Sequence, residues 1–569
     1  TKKYDGWANS ANLKNRVEMV YVGANDGMLH AIDFKTGVEQ WAFIPPFVLP
    51  KMPNIINPSL NNDKSTKNKG GSNAIYGVDG SPVQHDIFFK SPFDTAEKWH
   101  TVLIVPYGRG GNGFSALIVT DPKNPRHLFS IYNDVIGNQV HVMKHDGEMP
   151  GPYPYMAKSY TLDLTDEAIT VQDAFDNDND IDGTCNETKA TSCYKSKTFT
   201  FENFQSPAGG MKKEDFTVEI NDVEDKNFTV TNTANKLVIK FLNEITFHAD
   251  PDMKPSADTV GIYVNQGTTA TGVQSPNAHY DYSELGETWS APRVLRIPNK
   301  QADTDIFDDL YVAVMGAGYG ARYEGVGSGV YVINLTDNDN PGKIEKFISI
   351  KDTPGNGIVS SVPGDPVVIT RDAAKGYVNF AGALVYTNDL EGKITKINLT
   401  DLVEPGLKIY DHYTLFDTKS TDSDGRYMYH SMEAAIGKDT KNLWLFAGTG
   451  DFENLTDTSA LTSNILLGIA DDDFPEMKVP LDVQAFNSGL SNVPPTIDDI
   501  KNCLDTTKNK TSVKCPKKMG AGIASKRGWV IHLDDYKKVT ASPTIAGGMA
   551  YFPIFTPPKG ADKCKNGAA

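Results

Sequence analysis

The sequence predicts an all-β protein whose strands form a β-propeller, with a β-rich subdomain inserted between two blades. Strand patterns joined by tight turns recur along the 569 residues, and helical periodicity is scarce. The 49 glycines and 33 prolines agree with many strands joined by turns. Because one small antiparallel sheet cannot bury both of its faces, recurring sheets are typical of a propeller.

The first unit begins with a strand, a turn and a second strand over residues 20–33. Apolar residues stand on both sides of the turn sequence Asn25-Asp26-Gly27. Asp-Gly in this setting predicts a two-residue hairpin turn, because both residues tolerate positive φ. Thr36-Gly37 predicts a second turn, and the strand around Trp41 completes an antiparallel meander.

Three elements then recur in a fixed order. They are a strand that starts at a small residue followed by Pro, a strand that runs into a Gly-containing turn, and a strand that ends in a polar turn. Pro is tolerated at a strand start because its missing N–H is not yet needed for pairing. The rival interpretation, a string of sandwich domains, requires polar linkers without repeats, and the sequence shows none. Six units follow the repeat: 17–44, 77–131, 288–350, 359–416, 428–470 and 525–555.

Two interruptions of the repeat define the predicted domains. Residues 1–131 hold a polar, unpatterned leader (1–16) and the first blades, and 287–569 hold the remaining blades with a shorter insertion near 472–524. Residues 132–286 are the inserted β-rich subdomain. Alternating apolar and polar residues predict half-buried strands there, at Phe199–Phe204, Phe216–Ile220, Phe228–Thr231 and Leu237–Phe241.

The composition excludes some classes of partner. The net charge is −17 at pH 7, which opposes the attraction to phosphate on which nucleic-acid binding depends. The sequence has no apolar run of about 18 residues, so no transmembrane segment is predicted. It opens with Thr1 and shows no signal peptide, and we expect it to be a fragment of a longer protein.

The five cysteines predict an oxidising, extracytoplasmic compartment. Cys185 and Cys193 close one polar loop, and Cys503 and Cys515 close another, as two disulfides would. Zinc is the alternative, but it requires Cys-x₂₋₄-Cys spacing or nearby paired His, which the sequence lacks. Cys564 is left over, and we expect its partner to lie beyond the last residue.

One segment has the chemistry of a metal site. Carboxylates occupy every second position from residue 176, and Ca²⁺ takes roughly six to eight oxygen ligands from a loop of this kind. Counted from the first carboxylate, the ligand positions 1, 3, 5, 7, 9 and 12 of a calcium loop all carry oxygen. The predicted ligands are Asp176, Asp178, Asp180, Asp182, Thr184 and Glu187.

A second register of this loop is possible. The first register places Ile181 where calcium loops of the EF-hand type have Gly. A register that starts at Asp178 restores Gly183 there, but it puts Lys189 at the last ligand position. We favour the first register because it ends on Glu187, and a solvated acidic loop is the alternative to a metal site. A weaker acidic cluster, Asp303–Asp309, predicts a turn with solvated acids.

Catalytic patterns are absent from the sequence. None of the 11 His lies in an HExxH motif, and the chain has no GxSxG or P-loop pattern. His30 and His430 lie on or beside predicted strands and are expected to pack or to form hydrogen bonds. We therefore predict no catalytic residue, and no cofactor other than Ca²⁺.

Residues 21–33, followed by Thr36-Gly37 and residues 41–45, resemble the C-terminal propeller of the PilY/PilC family of type IV pilus-associated adhesins. Residues 315–320 and 384–392 resemble later blades of that family, and its Neisseria-type PilC branch fits best. The resemblance implies a modified seven-bladed propeller, bound calcium, and roles in pilus biogenesis, retraction control and host-cell adhesion. It also implies a location at the bacterial surface, outer membrane and pilus tip, with minor pilins and a host-cell receptor as partners.

The resemblance is incomplete at one loop. The family has a calcium loop with the pattern D-x-D-x-D-x-x-x-D just before one blade strand, where this chain has Arg371–Gly376 with a single acid. The Asp176 loop is our hypothesis for its replacement. A quinoprotein-like (PQQ) dehydrogenase is the alternative function, because its blades share the strand and Gly-turn repeat. The chain has only six Trp and no adjacent Cys pair, which favours the non-catalytic adhesin.

Overall fold

The computed structural model describes these residues of the chain: 2–56, 76–137, 139–154, 160–161, 169–170, 193–202, 212–213, 216–220, 223–224, 226–233, 236–248, 260–264, 279–297, 309–320, 326–350, 353, 356–370, 383–399, 412–421, 425–437, 443–455, 464–471, 474, 501–502, 528–533 and 536–557.

The chain divides into two compact units. Unit 1 comprises Thr1–Asn133, Val142–Pro150 and Glu284–Ala569, and unit 2 comprises Asp134–His141 and Gly151–Ser283. The all-β prediction is confirmed, because the described elements are antiparallel strands with a few short helices. No helix in the described part of the chain is long and apolar enough to cross a membrane.

Unit 1 contains five sheets, which we number in chain order, and a last hairpin, all within the described residues. Sheet 1 consists of Met19–Gly23, Leu29–Asp33 and Glu39–Phe43. Sheet 2 includes Val83–Phe89, Lys98–Pro106, Gly113–Ile118 and Arg126–Asp134. Sheet 3 consists of Arg293–Ile297, Leu310–Gly316, Gly329–Asn334 and Ile344–Ser349. Sheet 4 consists of Val367–Thr370, Ala383–Asn388, Lys393–Asn398 and His412–Asp417. These sheets repeat as a propeller requires, while the number of seven blades stays a prediction.

Sheet 5 corrects the predicted repeat boundaries. Gly528–His532 was assigned to a sixth unit, but it pairs with Ile465–Asp471 and completes sheet 5. The strand that pairs with Ile465–Asp471 thus lies more than 50 residues further along the chain, a separation that the local pattern cannot reveal. Sheet 5 also contains Glu433–Ile436, Leu443–Gly448 and the short parallel strand Lys501–Asn502. The last hairpin consists of Thr544–Ala546 and Met549–Tyr551. A further two-stranded sheet pairs Lys538–Val539 with Ile554–Phe555.

The first hairpin also differs in detail from the prediction. Its strands pair as expected, from Met19 opposite Asp33 to Gly23 opposite Leu29. The Ala24 N–H donates to the Met28 carbonyl at 2.9 Å, so three residues form the loop instead of two. Gly27, with φ of 93°, takes the left-handed position that closes such a three-residue loop.

The first residues form helices and not an unpatterned leader. Tyr4 and Trp7 lie 4.8 and 5.9 Å from the Trp99 ring, and the Tyr4 hydroxyl donates to Asp86 at 2.9 Å. A helix this short is stabilised by packing more than by its own periodicity, which is why the sequence pattern did not show it. The helices are Lys2–Ala8, Ala11–Lys14, the 3₁₀ turn Leu49–Lys51, and Met52–Ile56.

The middle strands of sheets 3 to 5 are buried on both faces, because alternate side chains enter different cores. In sheet 4, Val385 packs in a core shared with Val312 of sheet 3, whereas Leu384 packs in a core shared with Leu445 of sheet 5. Each such side chain contributes about 1.5–3 kcal/mol on burial. A buried polar link joins sheets 4 and 5 as well, since Asp471 lies 2.5 Å from the Lys396 ammonium and accepts from the Tyr386 hydroxyl at 2.6 Å.

Successive sheets of unit 1 are joined by backbone hydrogen bonds at corresponding places. In each sheet one strand runs into a turn, and we call these segments, 24–28, 107–112, 317–320, 389–392 and 449–455, the blade turns. The backbone of each blade turn forms a hydrogen bond with the backbone of a residue that lies five positions before the first strand of the next sheet or hairpin. We call these hydrogen bonds the joints. They pair Val78 with Ala24 (3.0 Å), Thr288 with Gly108 (3.2 Å), Val362 with Gly318 (3.1 Å), Met428 with Asp389 (3.4 Å) and Val539 with Thr449 (3.1 Å). The N–H donor lies in the blade turn for Gly108 and Gly318 and in the segment before the next sheet or hairpin for the others.

The joints explain why a glycine recurs at the end of the strand before the blade turn. A Cβ atom on Gly23 would lie 2.5 Å from the Val78 carbonyl oxygen, and one on Gly316 would lie 2.4 Å from that of Val362. Both distances are far below van der Waals contact. The recurring Gly therefore makes room for the backbone of the next sheet.

Unit 2 contains two four-stranded antiparallel sheets in the described residues. Three of the predicted strands of the insertion are confirmed, two of them with extended bounds, and the predicted strand Phe199–Phe204 is confirmed up to Glu202, beyond which its residues are not described. One sheet has the order Ile169–Thr170, Cys193–Glu202, Lys236–His248, Phe228–Thr233, and the other has the order Tyr160–Thr161, Val260–Val264, Phe216–Ile220, Val223–Glu224. Within unit 2, Gln139 and Val140, at the start of the strand Gln139–Lys144, pair with the strand Tyr153–Pro154.

In unit 1, the chain segments on either side of the long excursion are held together. The side-chain amide of Asn133 donates to the Leu285 carbonyl at 2.7 Å, although the two residues are 152 positions apart. The Asn133 N–H also donates to the Asn112 carbonyl at 2.8 Å, and the side chain is fully buried.

Gly316→Ala is expected to lower the free energy of unfolding by about 1–3 kcal/mol, because the new Cβ overpacks a joint. Urea unfolding of the whole chain measures the effect. Gly6→Ala is the matched control, since a Cβ at Gly6 meets no atom within 4 Å, and Ala is favoured over Gly in a helix by about 1 kcal/mol. An equal loss of stability in both variants would contradict the role of the joint.

Candidate functional site

The blade turns bring aromatic side chains together at one end of the sheets. Within a sheet the first two strands are antiparallel, so the start of the first lies beside the end of the second. The segment that leads into a sheet therefore lies beside the blade turn of the same sheet. We define the aromatic cluster as Trp289, Tyr319, Tyr427, Tyr429 and Phe452, which pack around Ile358 and Leu390.

The rings of the aromatic cluster are arranged in contact. Trp289 stacks on Tyr319 with ring centroids 4.5 Å apart and an interplanar angle of 24°. Phe452 meets Trp289 edge-on, at 6.4 Å and 80°. Such pairs add about 0.5–1.5 kcal/mol each beyond the area that they bury. Tyr319 and Tyr429 are buried, whereas Trp289 and Phe452 remain partly exposed, so part of the cluster is a surface.

Arg109, in the blade turn of sheet 2, lies over this surface. Its guanidinium carbon is 4.8 Å from the centre of the Trp289 ring, 5.2 Å from that of Tyr76 and 5.6 Å from that of Phe452. Nη1 donates to the Tyr76 hydroxyl at 3.0 Å. Cation–π contacts contribute about 0.5–2 kcal/mol each. In the described part of the chain Arg109 forms no ion pair, so the aromatic rings and the Tyr76 hydroxyl fix its position.

Two further charged side chains border the cluster. Glu287 accepts a hydrogen bond from the Trp289 indole N–H at 2.9 Å. Burial raises the pKa of Glu287, against the hydrogen bond from Trp289 and the nearby positive charges of Arg109 and Lys51. The Lys51 ammonium donates to the Gly110 carbonyl, and burial lowers the pKa of Lys51. The arrangement can bind a ligand that combines an apolar body with a charged group, and it shows no pattern typical of catalysis.

A polar cavity of about 300 Å³ lies near the blade turn of sheet 4. Glu391 forms a buried ion pair with Lys393 and accepts from the Thr353 N–H at 2.8 Å. Burial raises the pKa of the neighbouring Asp389 to about 8. Perturbed carboxyls often mark functional sites, but Asp389 also supplies the carbonyl of a joint. We assign this network to the packing of the joint. The cavity is lined by Thr353, Asn356, Glu391, Asp417, Lys419, Ser420 and Thr421.

The calcium ligands predicted from the sequence lie outside the described residues. This holds for Asp176, Asp178, Asp180, Asp182, Thr184 and Glu187, for the loop 371–376, and for Cys185, Cys503, Cys515 and Cys564. Cys193 begins a strand of unit 2. Across the described ranges no three His, Cys, Asp or Glu side chains lie close enough to hold a metal ion. The calcium site and the disulfides stay predictions.

Three other predicted residues have defined surroundings. His30 lies 2.7 Å from Glu39 and 2.9 Å from Asp26, which confirms a hydrogen-bonding role. His430 packs edge-on against Phe452 at 4.9 Å, as predicted for a packing residue. Asp309 was predicted to be solvated, but it is 8% exposed and forms an ion pair with Arg296. For Asp309 that prediction was wrong, because the residue directly precedes the strand Leu310–Gly316 and reaches Arg296 of the neighbouring strand; residues 303–308 lie outside the described part of the chain.

The sequence analysis missed the aromatic cluster and Arg109. Their positions span residues 109 to 452, and only the joints bring them together. A signal was nevertheless present, because Tyr319 and Phe452 follow the strand-ending glycines Gly316 and Gly448 in two of the repeats.

His430→Gln is expected to make the chain more resistant to acid. Burial lowers the pKa of His430 to about 4, so between about pH 6.5 and pH 4 the unfolded chain takes up a proton that the folded chain does not. The folded state therefore loses up to roughly 3 kcal/mol as the pH falls through this window. Urea unfolding at pH 7 and pH 4.5 measures the difference.

The variant should lose less stability between these two pH values than the wild type. His85→Gln, at an exposed position on sheet 2, serves as the control. Equal pH dependence of wild type and His430→Gln would contradict the prediction.

The first part of the chain is similar to known proteins. Residues 2–147 match the family model described as the PilY1 beta-propeller domain. A type IV pilus biogenesis factor PilY1 homolog of Xylella fastidiosa is 42% identical over 130 residues, which cover 23% of this chain and 9% of that protein. The type IV pilus biogenesis factor PilY1 of Pseudomonas aeruginosa strain UCBPP-PA14 is 44% identical over 114 residues, which cover 20% of this chain and 8% of that protein.

Among solved structures, the crystal structure of the Pseudomonas aeruginosa PilY1 C-terminal domain aligns with 96% of this chain and 77% of that one, at 17% identity and a TM-score of 0.47. The chain thus matches less than a tenth of the length of these two relatives. The family-model match over sheets 1 and 2, and the identity to these relatives, support a relation of this part of the chain to the PilY/PilC family.

Proposed function

We propose that this chain is a non-catalytic part of a type IV pilus-associated factor that supports pilus biogenesis and attachment to host cells. The match of residues 2–147 to the PilY1 beta-propeller domain carries the proposal, together with relatives named as pilus biogenesis factors. Adhesion, support of extension against retraction, and the Neisseria-type branch rest on the sequence resemblance alone.

The proposed location is extracytoplasmic, at the bacterial surface and the pilus tip. Pilus factors act where pilins assemble, and the two loop-closing cysteine pairs agree with an oxidising compartment. The proposed partners are minor pilins at the pilus tip and a host-cell receptor. The net charge of −17 argues against nucleic acid as a partner.

Deletion of the gene that encodes this chain is expected to remove surface pili, because a biogenesis factor is required for their assembly. Electron microscopy of the deletion strain measures the number of pili for each cell. Restoration by the wild-type gene is the control. A normal number of pili in the deletion strain would contradict the proposed function.

The proposed metal is Ca²⁺, bound by the loop 176–187. Its acids are spaced at every second residue and end in Glu187, a donor set of hard oxygens that suits Ca²⁺. Four aspartates this close repel each other without a counter-ion, and Ca²⁺ neutralises them. An ion that binds the folded chain in preference to the unfolded chain adds about 2.7 kcal/mol of stability at a hundredfold excess over Kd.

Calcium is expected to raise the Tm of the chain, and Glu187→Gln is expected to reduce that rise, because it removes a bidentate ligand. Thermal melts with excess calcium and with EGTA measure the shift. Glu148→Gln is the matched control, since Glu148 is an exposed carboxylate paired with Lys144 outside the loop. A Tm that does not respond to calcium in the wild type leaves 176–187 as a solvated loop, and a full response in Glu187→Gln would reject the register.

A further inference from the structure

We infer that Arg109 and the aromatic cluster form a docking site for a partner protein segment that presents a carboxylate on an apolar stem. The site is distinct from the predicted calcium loop. The inference rests on the proposed function only for the choice of a protein as the partner.

The guanidinium of Arg109 is held in place before any ligand binds. The rings of Trp289, Tyr76 and Phe452 contact it, and the Tyr76 hydroxyl also accepts a hydrogen bond from one of its N–H groups. An arginine has five N–H donors in a rigid planar fork. Its remaining donors match a carboxylate, which such a fork binds through two parallel hydrogen bonds. Little side-chain entropy is lost on binding, because the rings have already ordered the arginine.

The residues around Arg109 favour a carboxylate that is attached to an apolar group. Trp289, Tyr76 and Phe452 are each partly exposed, so they offer an apolar wall beside the charged group. Trp, Tyr and Arg are the residues that contribute most to protein–protein binding when they lie together in a partly desolvated site. An aliphatic or aromatic stem next to the carboxylate fits this wall, whereas a fully hydrated anion does not use it.

The charges of the site favour one carboxylate over a highly charged ligand. Lys51 adds a second positive charge nearby, while Glu287, held by Trp289, and Glu453 add two negative ones. The charges around the site therefore balance, whereas the chain as a whole carries −17. A nucleic acid or a polyphosphate would be repelled by the chain, whereas a single carboxylate can pair with Arg109 at short range.

The test uses the whole chain and two small probes, 3-phenylpropionate and its neutral analogue 3-phenylpropionamide. Ligand-observed NMR titration measures the affinity of each. We expect the carboxylate to bind about tenfold more tightly than the amide, the ratio that one charge-assisted hydrogen-bonded pair provides. Equal affinities for the two probes would overturn the inference.

Variants assign the preference to the site. Arg109→Gln should abolish it, and Arg109→Lys should retain part of it, because Lys keeps the charge without the fork. Glu287→Gln should strengthen carboxylate binding several-fold, because it removes the competing negative charge. Arg126→Gln is the matched control, since Arg126 lies over a single ring, Phe93, at 4.9 Å, and it should behave as the wild type.

The opposite effects at positions 109 and 287 separate binding from folding, because a loss of structure would weaken binding in both variants. Thermal melts of each variant verify this. Weaker binding in Glu287→Gln at an unchanged Tm would overturn the assigned charge balance, and a preference that survives Arg109→Gln would overturn the assigned site.

Peptides distinguish the two sources of a carboxylate in a protein. A peptide that ends in a free C-terminal Phe carries it on the chain end, whereas an amidated peptide that contains Asp beside Phe carries it on a side chain. Binding of either, lost in Arg109→Gln, supports the inference, and binding of neither overturns it for a protein partner. If no peptide binds but the deletion strain loses its pili, the docking site is rejected and the proposed function stands. If the carboxylate binds but the deletion strain has normal pili, the pilus role is rejected and the docking site stands.

Discussion

A single backbone contact, repeated between neighbouring sheets, holds unit 1 together. Each joint binds a blade turn to the residue five positions before the next strand, from Val78 with Ala24 to Val539 with Thr449. The next sheet or hairpin therefore always starts five residues after its joint residue. Side-chain packing then follows, because alternate residues of a middle strand face cores on opposite sides. At Gly23 and Gly316 the strand-end glycine makes room for this contact, because a Cβ atom would lie too close to the carbonyl oxygen of the joint residue.

The joints also decide where a binding surface can form. Residues in or next to them cannot drift apart, so side chains at these positions are held by backbone and not by long loops. Tyr319 and Arg109 lie in blade turns, and Trp289 directly follows a joint residue, Thr288. The aromatic cluster is thus built from segments that are distant in sequence but fixed in space. Its rigidity is inherited from the sheets on which it lies.

Local pattern predicted the strands well and the assembly less well. Alternation and Gly-turns located the repeated sheets and the strands of the insertion, because period-2 burial is written in adjacent residues. The pattern failed where the partner lay far along the chain, as for Gly528–His532, and where packing alone stabilised an element, as for Lys2–Ala8. The site around Arg109 was hidden for the same reason, since no short window contains both Arg109 and Trp289.

The bond between Asn133 and Leu285 has a consequence for protein engineering. The two chain segments that flank the long excursion are fixed by unit 1 itself, with Asn133 also anchored to Asn112. A segment that replaces the excursion needs only ends that reach from Asn133 to Leu285, two residues already joined by a hydrogen bond. The entropy of closing a replacement loop rises by only about 0.6 kcal/mol for each doubling of its length. Cargo of very different sizes, from a few glycines to a foreign domain, is therefore tolerable at one and the same place.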